Sequence, residues 1–235
     1  MPIRTTPRRL IAPIALACLL GACAPAPRVP PAAPAAPAAA DDFGQAYYAR
    51  LQAGGQTVLR IDPQASLIGV TVRRGGVLAR MGHDHIVASR GVAGFVAPAL
   101  GRADFHFRLD QLSVDEAGLR QEAGLDSKPS PADIEGTRNN MLTRVLDAAH
   151  FPDVLVHAER TAADAPLRVS ITLHGVTRTL DIPVAIEAGA DGRGLVASGS
   201  VALKQSDFGL VPFAVFGGAL AVQDRMELRF RLVSR

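Results

Sequence analysis

From about residue 57 onward, apolar and polar side chains alternate with a period of two, which marks strands that bury one face. In 103–109, Ala103, Phe105, Phe107 and Leu109 share one face, and Asp104, His106 and Arg108 share the other. The same alternation sets Leu167, Val169, Ile171 and Leu173 against Arg168, Ser170 and Thr172. It sets Leu180, Ile182, Val184 and Ile186 against Asp181, Pro183 and Ala185. Met226, Leu228, Phe230 and Leu232 oppose Glu227, Arg229 and Arg231. Weaker versions run over 57–62, 66–73, 85–97, 153–160 and 195–204, so the pattern predicts about eight or nine strands.

The punctuation between these segments is short. His174-Gly175 and Asp191-Gly192 each suit a tight hairpin turn. Strands joined this closely pair antiparallel, because a parallel pair needs a long crossover. One helix interrupts them. Ser130 reads as its N-cap and Pro131 as its first residue, and Ile134, Arg138, Met141, Leu142, Val145 and Leu146 fall on one side. His150-Phe151-Pro152 ends it. A short helix is also expected around 46–51, whereas 116–133 shows no legible pattern.

Antiparallel strands with one apolar face each must form a sandwich or a closed barrel. Several inward candidates are small or medium-sized: Ala103, Val169, Val184, Ala197, Gly199 and Val201. With no Trp and 9 Phe, there is little bulk to plug a centre. The pattern alone leaves two outcomes open, a receptacle for an apolar ligand or a dry core.

The first forty residues differ in kind. Arg4, Arg8 and Arg9 precede an apolar run over 10–22, too short to span a bilayer, which needs roughly 20 residues. That is the layout of a secretion signal over 1–22. Leu20-Gly21-Ala22-Cys23 is similar to a bacterial lipobox, which makes Cys23 the expected lipidation site. Ala24 rather than Asp after it favours the outer membrane. Residues 24–40 are almost all Ala and Pro, an extended tether within an expected 23–56 linker, followed by a domain over 57–235. Cys18 leaves with the signal, so the domain has no thiol for disulfide, metal or nucleophilic chemistry. Removing 1–22 leaves 22 Lys and Arg against 22 Asp and Glu, which takes away the electrostatic case for nucleic-acid binding.

Five segments together resemble a known family. Leu59-Arg60-Ile61-Asp62-Pro63 leads into Ser66, Ile68, Val70 and Val72; Arg138 and Leu142 precede Phe151-Pro152. Leu173-His174-Gly175-Val176-Thr177-Arg178 and Ser206-Asp207-Phe208-Gly209-Leu210 follow in order. This set resembles the YceI-like family of lipid- or polyisoprenoid-binding, lipocalin-like bacterial proteins. Gln205 stands where that family often has a basic residue, and Met141 where a His is common. The resemblance implies an all-β, antiparallel, eight-stranded lipocalin-like barrel with one helix near its mouth. It implies an isoprenoid ligand such as a quinone or polyprenyl tail, a periplasmic setting, and no enzymatic role. On that basis the expected ligand-binding wall is Ile68, Val70, Val72, Phe105, Phe107, Val154, Val156, Val169, Ile171, Leu180, Ile182 and Val201.

Gly82-His83-Asp84-His85 is the most chemically suggestive segment. His83 and His85, two apart on one side of a strand, could share a metal or haem with His174 as a third ligand, or grip a polar headgroup. The plain alternative is a polar loop satisfied by backbone and water. No phosphate loop, nucleophile elbow or paired-carboxylate motif stands out, so no catalytic residue is assigned. Three functions follow: a carrier or scavenger of isoprenoid lipid anchored to a membrane, a metal- or haem-binding redox protein or enzyme, or a dry-cored structural or partner-binding barrel.

Overall fold

The computed structural model describes residues 43–162, 164–189 and 192–235. The expected leader over 1–22, Cys23 and the 24–40 tether lie outside them, as does Asp191 of the expected turn. In chain order the first elements are α1 (Gln45–Ala53), β1 (Leu59–Arg60), β2 (Leu67–Gly75), β3 (His85–Ser89), β4 (Ala93–Ala97), β5 (Arg102–Arg108) and β6 (Ser113–Val114). Then come α2 (Ala117–Glu122), α3 (Pro131–Asn140), β7 (Asp153–Arg160), β8 (Leu167–Leu173) and β9 (Val176–Ile182). β10 (Val184–Ala188), β11 (Leu195–Lys204), β12 (Ala214–Val215) and β13 (Leu220–Ser234) complete the chain. None of the helices among the described residues is long and apolar enough to cross a membrane.

All strand pairs are antiparallel, but they do not make one closed eight-stranded barrel. They form a six-stranded sheet in the order β1-β4-β5-β7-β8-β9 and a seven-stranded sheet in the order β10-β11-β13-β2-β3-β6, with β12 added on β13. Two of the crossings between sheets interrupt segments that read as single strands. Pro183 has no N–H for a ladder, so the segment read as one strand over 180–186 is β9 and β10, on different sheets. Arg90-Gly91-Val92 likewise splits 85–97 into β3 and β4, again on different sheets. The sheets also meet where Ile61 bridges Ser234 and Arg60 exchanges two backbone hydrogen bonds with Arg235.

Local signals are realised closely. Ser130 Oγ accepts from the Asp133 amide at 3.2 Å, and Asp133 Oδ2 accepts from the Ser130 amide at 2.9 Å, a reciprocal cap. α3 then continues into a π turn, Met141–Val145. His174 and Gly175 both take positive φ, 52° and 72°, so β8 and β9 are joined by the mirror-image turn whose twist matches the strands. The helix around 46–51 exists as α1, and the patternless stretch contains α2, giving three α-helices among the described residues instead of the expected two.

Candidate functional site

The inward faces of the two sheets enclose a cavity of about 510 Å³. Phe105, Val156 and Ile171 line it from the six-stranded sheet, and Val70, Val201 and Leu228 from the other. Along β11 the wall runs from Leu195 to Leu203, about 26 Å at a strand rise of about 3.3 Å per residue. The space is therefore a tunnel. At one end, Leu109, Met141, Val145, Leu146, Phe208 and Leu210 surround it, so α3 and its π turn cap that end. Gly199 permits a close approach near the middle. A side chain there would meet the Phe230 ring and the Pro183 carbonyl at 2.8 Å.

Few polar groups reach the wall, and several of those already have partners. Gln205 is buried and donates to the Gln223 carbonyl at 2.9 Å. Arg102 donates to Asp104 at 2.8 Å and lies over the Tyr47 ring at 4.4 Å. Ser234 Oγ donates to the Leu195 carbonyl at 3.4 Å. Such a surface offers an elongated guest dispersion contacts and removal from water, with little directional recognition along its length.

Of the expected wall, Ile68, Val70, Phe105, Phe107, Val154, Val156, Val169, Ile171, Ile182 and Val201 do line the tunnel. Leu180 does not, although it packs against the core around it. Val72 does not either; it pairs with Met226, where β13 is bulged between Val222 and Met226. Alternation fixes which face a residue takes, not how far along the tunnel it sits. The expected wall missed Leu203, Phe208, Leu210 and Met226 through Leu232 on alternate positions, together with Met141 and Val145 of the π turn and Leu146 after it. The β13 positions carried the same alternation and could have been included.

The histidines are elsewhere. His85 is buried on β3, and its Nδ1 donates to Asp115 Oδ2 at 2.6 Å. Asp115 Oδ1 also accepts from the Ile86 amide at 3.1 Å and from Arg120 Nη1 at 2.6 Å. Arg120 in turn holds the Asp84 and Ser127 carbonyls, and His85 Nε2 faces the Thr137 hydroxyl of α3 at 3.5 Å. Burial alone would raise the Asp115 carboxyl; the hydrogen bonds from His85, Ile86 and Arg120 outweigh it and hold the group below the ordinary carboxylate value. His83 precedes the strand instead of lying on it, with its Nε2 3.9 Å from Asp133 and its ring centre 6.2 Å from that of His85. His174 sits in the β8–β9 turn against the Phe151 ring at 4.4 Å. Among the described residues no three His, Cys, Asp or Glu side chains are placed to hold a metal ion, so the metal reading of His83, His85 and His174 finds no site here. The His85 cluster instead ties β3 to the chain between β6 and α3.

A matching cluster sits on the outer face of the six-stranded sheet. Asp104 accepts from Tyr48 Oη at 2.7 Å, Arg102 Nε at 2.8 Å and His157 Nδ1 at 2.7 Å. Tyr48 is fully buried and stacks on Phe95, which docks α1 on the sheet. Burial raises the Asp104 carboxyl, but those three donors keep it below its usual value. Burial and the neighbouring Asp104 push the Tyr48 hydroxyl well above its usual value.

A family model described as a YceI-like domain matches residues 59–234. A solved polyisoprenoid binding domain from Saccharophagus degradans, implicated in plant cell wall breakdown, shares 12% identity with a TM-score of 0.55, over 77% of this chain and 98% of its own. BcnA from Burkholderia cenocepacia shares 14% identity with a TM-score of 0.50, over 74% of this chain and 98% of its own. At these identities the two structures speak to the fold alone. No curated protein gives a significant match.

Proposed function

Since the chain belongs to the YceI-like family and its sheets enclose an apolar tunnel, we propose that it binds and shelters the tail of an isoprenoid lipid. The tunnel carries this reading: about 510 Å³ of space walled from both sheets by aliphatic and aromatic side chains. That volume is in the range of small-molecule sites, and burying a tail there gains about 25 cal/mol per Å² of apolar surface. The described binding of polyisoprenoids by the Saccharophagus domain, which has this fold, supports a prenyl tail over a straight acyl chain. A quinone or polyprenyl lipid is the cargo we favour, because the scarcity of polar groups on the wall asks for a guest whose recognition is spread along an apolar tail. The basic leader, Cys23 and the Ala/Pro tether support a periplasmic, lipid-anchored setting.

The test is direct. The full chain is purified from its native membranes, extracted into organic solvent and examined by mass spectrometry, then challenged with added polyprenol. The expected result is a prenyl-tailed lipid near one per chain that exchanges with the added one. Recovery of none, together with no uptake of polyprenol, overturns the reading.

A further inference from the structure

The α3-capped end of the tunnel carries a second feature on its outside. Two loops meet there, 76–82 between β2 and β3, and 211–219 on either side of β12. The Leu78 amide donates to the Ala219 carbonyl at 2.7 Å. Any side chain on Gly76, which has φ of 83°, would strike the Gly218 and Ala219 carbonyls. The loops are thus locked together. They hold out four apolar side chains: Val77 is 86% exposed, Met81 65%, Val211 78% and Phe216 74%. Soluble monomers rarely expose clustered apolar surface without using it.

Three further observations bear on its use. First, Leu210 lines the tunnel and Val211 is the next residue, so the patch continues the tunnel wall outward. Second, Phe216 takes φ of 52°, followed by Gly217 at 64° and Gly218 at 89°. A bulky aromatic in the left-handed region is disfavoured, so the turn presents this ring to solvent against its own backbone preference. Third, 208–223 contains no charged side chain, while cations surround it. Arg80, Lys204 and Arg225 are exposed, and Arg144 covers the Phe213 ring at 4.7 Å. Of the acids nearby, Asp84 is engaged by Arg73 and Arg74, Asp224 is held by Ser206, and Asp207 is exposed.

We propose that this rim docks on an anionic lipid surface, with Phe216, Val211, Val77 and Met81 entering the acyl boundary and the cations meeting headgroups. The capped end of the tunnel then lies on the membrane, so a tail exchanged with it passes α3 and its π turn. Protruding apolar tips ringed by Arg and Lys suit a fluid anionic surface better than a preformed protein groove. The proposal rests on the tunnel reading and names the partner that loads it.

The chain has no Trp, so a single Trp is a clean reporter. The full chain carrying Phe216→Trp, or Leu100→Trp as a control on an exposed apolar residue of another loop, is added to vesicles of phosphatidylcholine and phosphatidylglycerol with brominated tails. The expected result is blue-shifted, quenched emission at 216 and neither at 100, with quenching weakened as salt rises from about 0.1 to 1 M. With Met81→Trp as reporter, Val211→Asp plus Phe216→Asp weakens vesicle binding, read from the quenching titration, about a hundredfold, since each apolar tip left in water forfeits roughly tenfold. Uptake of dansyl-farnesol into the tunnel stays unchanged in that variant, which also shows that it is folded. Loss of probe uptake with quenching intact would sink the tunnel reading instead. No quenching at 216, equal quenching at 100 and 216, or concentration-dependent shielding of 216 without vesicles overturns the docking proposal; the last points to a second copy.

Discussion

Between the sheets, Phe105, Val156 and Ile171 on one sheet face Leu228 on the other across space that no side chain fills; on the outer face of one sheet and at the β6 edge of the other, Asp104 and Asp115 are nearly sealed from water and each accepts three hydrogen bonds. The two kinds of region divide the labour. Walls around open space forgo part of the contact energy that a packed core would supply. They also have no single best arrangement of side chains to fix how the layers sit. The aspartates supply directional bonds where the tunnel cannot. Asp104 joins α1 to the six-stranded sheet through Tyr48, and Asp115 joins β3 to the α2 segment through Arg120. Stability and specificity of this fold should therefore respond steeply to the polar clusters and weakly to bulk added inside.

The sharpest way to break that contrast is Asp115→Ala. It leaves the Arg120 guanidinium and His85 buried without their shared acceptor, and removing one partner of such a pair costs about 3–5 kcal/mol. Urea unfolding of the variant should show a loss of that size. A loss under about 1 kcal/mol, the value of an exposed pair, would mean that the cluster does not hold the sheet edge. Tyr48→Phe is the milder counterpart at the other cluster. It keeps the ring stacked on Phe95 and removes only the hydroxyl that reaches Asp104, with an expected loss of about 1.5–3 kcal/mol.

Acidity probes both clusters together. Asp104 and Asp115 are held below the ordinary carboxylate value in the folded state. Their contribution is therefore fully present above the unfolded value, about 3.9, and is lost as pH falls through the folded values beneath it. Tyr48 is displaced upward, so its contribution is intact below the unfolded value, about 10, and declines above it. These three groups leave the unfolding free energy unchanged near neutrality and lower it at both extremes. Asp104→Asn should flatten the acid limb, as followed by circular dichroism on pH titration.

What could be read from the sequence, and what could not, follows the same division. Period-two alternation located the strand faces, and ten of the twelve expected wall residues line the tunnel, because side-chain direction in a strand is set locally. The Ser130 cap and the His174-Gly175 turn were legible for the same reason. The polar clusters were not. Asp104 read as a solvent-facing residue, yet α1, 56 residues away at Tyr48, covers it. His85 and Asp115 are 30 residues apart, and Arg120 lies in a stretch without pattern. Pro183 read as one outward position of a strand, whereas its missing N–H moves the chain from one sheet to the other.

The smallest stability change should come from the largest added side chain. Ala197 lines the tunnel on β11, opposite Ile186 and Leu232 in register. In a filled core, Ala197→Phe would force strain of about 1–3 kcal/mol. Here the ring enters open space and gains contacts, so the unfolding free energy should change by less than about 1 kcal/mol, in either direction. The same ring displaces guest. If it denies a prenyl tail about 60 Å² of burial, affinity falls about tenfold. Adding Ala103→Phe on the facing sheet should deepen the loss of binding without a matching loss of stability. Dansyl-farnesol titration beside urea unfolding separates the two quantities. If stability and uptake fall together, the interior behaves as a packed core and the contrast between tunnel and clusters fails; if uptake alone falls, the space inside is what the fold is built to keep.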